Sequence, residues 1–153
     1  MRNSLLLSVA AILAMACHAS AEDTKIDSSE KDHKLIEGAW RIVAVTEDGK
    51  EFSPRHVREL VVVNGSDGTW TMQSGGEEID KGTSTFDASK RPKTIDFASS
   101  KGDAKGIKHL GIYELGETSR RLCFAEPGKP RPTAFVSKPG SGHTLVEFER
   151  IPE

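Results

Sequence analysis

The stretch Gly38-Ala39-Trp40 opens the first strand-like segment of the chain, which continues to Thr46. Arg150 lies near the opposite end of the chain, in the last candidate strand. A Gly-x-Trp on the first strand and an arginine on the last suit a small closed β-barrel, because the indole closes one end and the guanidinium packs over its face. We therefore predict that Gly38, Trp40 and Arg150 close one end of a barrel.

Further strand-like segments follow at the spacing that is typical of an antiparallel barrel or sandwich. Turn pairs such as Asp48-Gly49 separate them, and Pro54 after Ser53 predicts one or two helical turns. No helical pattern lies between the strands, which argues against a parallel α/β sheet. The sequence predicts an all-β fold, a small antiparallel β-barrel of about eight strands. The candidate strands are residues 40–46, 60–63, 70–73, 79–86, 94–97, 107–115, 121–125, 133–137 and 144–151.

The first 21 residues have the pattern of a signal peptide. Arg2 supplies a positive start, residues 5–15 are apolar except for one serine, and Ala19 and Ala21 frame a small-x-small cleavage site. The apolar run is too short to span a membrane, which takes about 20 residues. We predict cleavage after Ala21 and export to the periplasm or the medium.

Cys17 offers a second interpretation of the same segment. A bacterial lipoprotein signal also ends at a cysteine, although it prefers a leucine three residues earlier, and here Leu13 is four residues earlier. In this alternative the protein is an envelope lipoprotein anchored by a lipid on Cys17.

The rest of the chain has the length of one domain. The sequence predicts a flexible polar N-terminal arm at residues 22–34 and one barrel domain at residues 35–153. The whole chain has 21 Lys and Arg against 23 Asp and Glu, with both signs interspersed. No basic face indicates nucleic-acid binding, and no apolar stretch after the leader is long enough for a transmembrane segment.

His109 and Tyr113 lie on the longest candidate strand. Because side chains alternate along a strand, these two residues share one face. If that face points inward, the barrel interior carries an imidazole and a phenol that suit the polar head of a ligand. The alternative is a barrel filled by its own side chains.

Trp40 and Arg131 complete the candidate ligand-binding set. Trp40 is either a core indole or the floor of a ligand cavity, and both can hold at once. Arg131 lies between Pro130 and Pro132, which restrict its backbone. Its guanidinium forms a structural ion pair with a carboxylate or recognises a carboxylate or phosphate on a ligand.

Motifs for catalysis or metal binding are missing from the sequence. No two histidines have metal-ligand spacing, and there is no nucleophile elbow or phosphate-binding loop. An enzyme would need His109, Glu114 and Arg131 to converge, yet strand alternation places His109 and Glu114 on opposite faces. We therefore expect no catalytic residue, metal or cofactor.

Short stretches along the predicted barrel domain carry a family resemblance. They are LIEGAW at 35–40, GTSTFD at 82–87, KRP at 90–92, TID at 94–96, GIYE at 111–114, LCF at 122–124, KPRP at 129–132 with Phe135, and LVEFER at 145–150. In order and spacing they resemble an uncharacterised lipocalin-like domain family best known from planctomycete bacteria. The resemblance implies a calycin-type barrel, export and no catalytic residues.

Two functions are compatible with this prediction. The first is an exported, non-enzymatic module that binds a small hydrophobic or amphipathic ligand in the barrel. The second is a filled barrel that binds a protein or the cell envelope through its loops at 99–105 and 127–132.

Overall fold

The computed structural model describes the backbone of residues 21–153 and the side chains of residues 28–153. Cys17 and all but the last residue of the predicted signal peptide lie outside the described residues. Two α-helices are present in the described part, α1 at Ala21–Ile36 and α2 at Pro54–Val57. The strands are β1 Gly38–Glu47, β2 Lys50–Glu51, β3 Leu60–Asn64, β4 Thr69–Ser74, β5 Glu77–Asp87, β6 Lys93–Ser99, β7 Lys108–Leu115, β8 Ser119–Ala125 and β9 His143–Arg150.

Each strand pairs antiparallel with its neighbour, in the order β2-β1-β3-β4-β5-β6-β7-β8-β9. β1 also pairs with β9, so the sheet closes on itself, and the two-residue β2 only extends the hairpin of β1. The result is a closed antiparallel barrel of eight strands, and the fold predicted from the sequence is confirmed. Within residues 21–153, no helix has the length and apolar character that a membrane crossing needs.

The interior of the barrel is built from alternate residues of each strand, as the period of two requires. Trp40 lies opposite Val62 on one side and opposite Arg150 on the other, and all three share the inner face. Burial of these side chains is the main source of stability. The buried core consists of Trp40, Ile42, Val57, Val62, Trp70, Val146 and Phe148.

Helix α1 packs against one end of the barrel, whereas the sequence predicts a flexible polar arm over most of this segment. Ile36 is buried, and its carbonyl accepts a hydrogen bond of 2.7 Å from Trp40 Nε1. Asp32 is also buried, and its carboxylate accepts hydrogen bonds from Lys93 and Tyr113. Polar composition predicts exposure, but here the partners of Asp32 compensate for its desolvation.

Residues 126–142, here called the outer strap, cross the outside of the barrel without forming a strand. The prediction of a strand at 133–137 is therefore wrong. Prolines at 127, 130, 132 and 139 remove backbone donors that a sheet ladder needs. The strap instead covers the outer face of β8, where Cys123 is fully buried with its Sγ 3.6 Å from the carbonyl oxygen of Val136.

Candidate functional site

The end of the barrel next to α1 is closed by Trp40 and Arg150. The guanidinium carbon of Arg150 lies 4.2 Å from the centroid of the Trp40 ring, in cation–π contact. Gly38 has a φ of +105°, and a Cβ at this position would lie 3.4 Å from Arg150 Nη1. These three residues meet at the place where the sequence predicts closure of the barrel.

Arg150 also ties this end of the barrel together through the backbone. Its guanidinium donates to the carbonyl oxygens of Glu117 at 2.7 Å and Glu37 at 2.8 Å, and to that of Leu35. The loop after β7, the end of α1 and the last strand are therefore joined by one side chain.

A cavity of about 140 Å³ remains inside the barrel. Most of its lining is apolar and includes the rings of Phe97, Phe124 and Phe148. The barrel is thus largely filled by its own side chains, and the remaining space fits a small molecule or part of a larger one. The polar members of the lining are Asn64, Trp70, Ser84 and Arg120.

Arg120 is the charged residue of this cavity. Its side chain extends from β8 over Phe148, 3.9 Å from that ring centroid, to within 5.0 Å of the Trp40 centroid. It is 8% exposed and has no hydrogen-bond or ion-pair partner among residues 28–153. Burial, and then the positive charge of Arg150, lower the pKa of Arg120 to about 9. Arg120 is therefore still a cation at neutral pH.

Two more buried donors border the same cavity. Asn64 and Trp70 lie directly opposite each other on β3 and β4. Asn64 Nδ2 and Trp70 Nε1 have no hydrogen-bond partner among the described residues. Ser84, by contrast, donates its hydroxyl to the Gly68 carbonyl at 3.3 Å. Buried polar groups are nearly always paired, so a cavity with three unpaired N–H donors suits a ligand that accepts hydrogen bonds.

The predicted ligand-binding residues His109 and Tyr113 lie on the inner face of β7, but neither lines this cavity. His109 stacks on Phe97 with 5.0 Å between ring centroids, and its Nδ1 is 3.2 Å from the Ala125 carbonyl oxygen. The Tyr113 hydroxyl donates to Asp32. Trp40 contacts the guanidinium of Arg120 through its ring and does not border the cavity either.

Arg131 is separated from the other predicted ligand-binding residues. It lies in the outer strap and donates to Asp96 Oδ1 at 2.7 Å, to the Gly111 carbonyl at 2.7 Å and to the Ile95 carbonyl at 3.0 Å. The structure thus shows the structural ion pair rather than a guanidinium directed at the cavity. Glu114 pairs with Arg121 on the outside, so His109, Glu114 and Arg131 do not converge.

Arg120, Asn64 and Trp70 are site residues that were not predicted from the sequence. The predicted strand at 121–125 starts two residues after the true start of β8, and so it leaves Arg120 out. The predicted strand at 60–63 ends one residue before Asn64, which is the last residue of β3. The signal for Arg120 is its alternation with Leu122 and Phe124, which places a charge on an apolar inner face.

A wider open cleft of about 960 Å³ lies over the ends of β7, β8 and β9. Glu114, Arg121, Phe135 and Glu147 border it. Arg121 Nε is 2.7 Å from Glu114 Oε2, and this contact lowers the pKa of Glu114. Arg120 borders this cleft as well as the inner cavity. Asn64 Nδ2 and Trp70 Nε1, which have no partner among the described residues, border the inner cavity and not the cleft, so the inner cavity is the better candidate for a binding site.

Within the part of the chain that the structure describes, no group of three or more histidine, cysteine, aspartate or glutamate side chains could hold a metal ion. The inner cavity contains no such group either, and its lining has no carboxylate or thiol. The donors of this cavity suit an anion or a neutral acceptor and do not suit a cation.

No family model, no curated protein and no solved structure matches the chain. The lipocalin-like family resemblance therefore stays a prediction. The closed barrel of eight antiparallel strands is consistent with a lipocalin-like module.

Proposed function

We propose that the protein is an exported, non-enzymatic binding module that holds a small, partly apolar molecule inside the barrel. The observation that carries the proposal is the inner cavity, which combines aromatic walls with buried donors that have no partner among residues 28–153. This combination is typical of small-molecule sites, in which a few polar groups orient a ligand within an apolar pocket. Export rests on the signal-peptide pattern of residues 1–21.

The size of the cavity limits the ligand. An apolar cavity of about 150 Å³ in another protein accommodates benzene. The cavity of about 140 Å³ is similar. We therefore expect a ligand whose enclosed part has the size of one ring or a short alkyl chain.

Native mass spectrometry of protein purified gently from its own host tests this function. The expected result is a reproducible added mass of a small organic molecule, on a chain that begins at Glu22. A chain that starts at a lipidated Cys17 would favour the lipoprotein alternative for location and would leave the binding proposal intact.

A variant that fills the cavity provides the control. Val146 is buried and borders the cavity, so Val146→Phe reduces the enclosed space. Val136 is 40% exposed in the outer strap, so Val136→Phe makes the same change away from the cavity. We expect the added mass to disappear only in Val146→Phe. Folded wild-type protein without any bound mass, or with a mass that survives Val146→Phe, argues against a ligand in the barrel.

A further inference from the structure

Arg120 is a buried cation that no carboxylate among residues 28–153 neutralises. Among residues 28–153 it contacts the rings of Phe148 and Trp40 and has no carboxylate partner. Removing a guanidinium from water is unfavourable, and contacts with aromatic rings compensate for only part of this desolvation. An anion bound beside Arg120 would supply the missing partner.

The carboxylates of this region are not available to Arg120. Asp32, the buried carboxylate at the α1 end of the barrel, is 2.8 Å from Lys93 Nζ and 2.6 Å from the Tyr113 hydroxyl. The neighbouring charged group is Arg150, which is also a cation and donates to backbone carbonyls. The guanidinium carbons of Arg120 and Arg150 lie 5.0 Å and 4.2 Å from the Trp40 ring centroid, and these two cations make this part of the barrel electropositive.

The unpaired donors of the cavity favour an anion with acceptor oxygens. The guanidinium of Arg120 reaches from β8 across β9 towards β1, and the next strand, β3, carries Asn64. Asn64 Nδ2 and, opposite it, Trp70 Nε1 have hydrogens with no acceptor among the described residues. A carboxylate has two oxygens that accept from such a set of donors.

We propose that the cavity binds a small amphipathic monocarboxylate, with its carboxylate on Arg120 and its apolar body against Phe97 and Phe124. This inference rests on the proposed function and names the ligand class. Asn64 and Trp70 supply the further donors to the carboxylate. The cavity of about 140 Å³ limits the apolar body to about the size of one ring.

Calorimetric titration of the full exported chain with sodium benzoate and with benzyl alcohol tests the ligand class. The two probes share a ring and differ in charge. We expect benzoate to bind at least about tenfold more tightly, because a hydrogen bond to a charged group contributes about 1.5–3 kcal/mol. Equal affinity for the two probes would overturn the carboxylate proposal and leave the proposed function in place. Failure of benzoate to bind would overturn the carboxylate proposal, and the proposed function would still be judged by the bound mass from the host.

Arg120→Met tests the residue. We expect this variant to lose the preference for benzoate and to unfold at the same or a higher denaturant concentration, since it removes an uncompensated buried charge. Arg121→Met is the matched control, because Arg121 points outward and pairs with Glu114. A preference that survives in Arg120→Met, or is lost in Arg121→Met, would overturn the assignment.

A second variant and a competing anion complete the test. Asn64→Leu removes a second donor while keeping the number and branching of the side-chain heavy atoms, and we expect weaker benzoate binding even if Arg120→Met does not fold. Unchanged benzoate affinity in Asn64→Leu would contradict the proposal that Asn64 donates to the bound carboxylate. A titration with sodium chloride tests chloride, an anion that has no apolar body. If chloride binds as tightly as benzoate, the site does not recognise an apolar body and the proposed ligand class is wrong.

Discussion

The hydroxyl of Tyr113 donates a hydrogen bond of 2.6 Å to the carboxylate of Asp32, which precedes it by 81 residues. This contact joins strand β7 to helix α1 and uses the phenol that the sequence analysis assigned to a ligand. Burial of Tyr113, the hydrogen bond to Asp32, and the charges of Asp32 and Asp87 raise the pKa of the phenol far above its ordinary value. The phenol is therefore part of the closure of the barrel and stays protonated in the folded state.

Titration of the phenol tests this arrangement. Tyr113 is the single tyrosine of the chain, so the absorbance of tyrosinate reports on it alone. In the unfolded chain the phenol ionises near the ordinary pKa of 10.0. In the folded protein we expect no tyrosinate until the barrel unfolds at higher pH. Appearance of tyrosinate near pH 10.0 in a protein that is still folded would contradict the buried contact.

The same pKa shift predicts a loss of stability in alkali. Because the folded pKa of Tyr113 is raised, its contribution to the free energy of unfolding is complete below pH 10.0 and declines above it. The lowered pKa of Arg120 acts in the opposite direction above about pH 9. Tyr113→Phe removes the contribution of the phenol and keeps that of Arg120. The difference in the free energy of unfolding between wild type and Tyr113→Phe therefore reports on the phenol alone. We expect that difference to shrink as the pH rises past 10.0.

Loss of Arg150 should weaken the closed end. Arg150→Met removes three hydrogen bonds to backbone carbonyls and the cation–π contact with Trp40. We expect the free energy of unfolding to fall by about 2 kcal/mol, measured by urea denaturation. Arg41→Met is the control, since Arg41 is exposed on the outer face of the same sheet. Equal effects of the two substitutions would show that the contacts of Arg150 add nothing specific.

Gly82 should tolerate no side chain. A Cβ at this position would overlap the Ala98 carbonyl oxygen and lie 2.5 Å from Trp70 Cζ2, because the Trp70 ring packs directly on the glycine. We expect Gly82→Ala to reduce the free energy of unfolding by about 1–3 kcal/mol and so to lower the melting temperature. At Gly116 the nearest atom to a Cβ is 3.4 Å away, so Gly116→Ala should change stability by less than about 0.5 kcal/mol. A Gly82→Ala variant as stable as Gly116→Ala would contradict the packing of Trp70.

Release of the outer strap should expose Cys123. The thiol is fully buried, and burial raises its pKa, so it should react slowly with an aromatic disulfide reagent. Arg131→Met removes three hydrogen bonds that help to hold the strap against β6 and β7, and we expect reaction to become about tenfold faster through local opening. The measurement uses a chain with Cys17→Ser. Lys129→Met loses only an exposed ion pair with Glu126 and should react at the wild-type rate. Unchanged reactivity in Arg131→Met would mean that other contacts hold the strap.

The barrel was predictable because its signals are local and periodic. Turn pairs such as Asp48-Gly49 divide the chain into strands, and the alternation within those strands defines an inner face. The strap was not predictable from propensity, since its Thr133 to Ser137 segment is as β-prone as a true strand. Its position depends on Arg131 and on contacts with distant residues, which local pattern does not encode.

The candidate site was less accessible to sequence reasoning than the fold. Polar residues of the inner face were sought on the longest strand, where His109 and Tyr113 share a face. His109 contacts Phe97 and the Ala125 carbonyl oxygen, and the Tyr113 hydroxyl is hydrogen-bonded to Asp32. Only the three-dimensional structure shows that these groups already have partners. Arg120 was missed because a single arginine at a strand start resembles a solvent-exposed end residue. The distinctive feature of Arg120 is that its side chain has no hydrogen-bond or ion-pair partner among residues 28–153, and only the three-dimensional structure shows this.

The pairing of β1 with β9 has a consequence for how the protein forms. Every other pairing of the barrel joins strands that follow one another along the chain, and it can form as soon as the second strand is present. The β1–β9 pairing must wait for the last residues, so an incomplete chain is an open sheet with two unpaired edges that invite association with other chains. A product truncated before His143 would keep most of its hairpins and still lack an interior. The C-terminal strand therefore determines whether the curved sheet closes into a barrel with an interior.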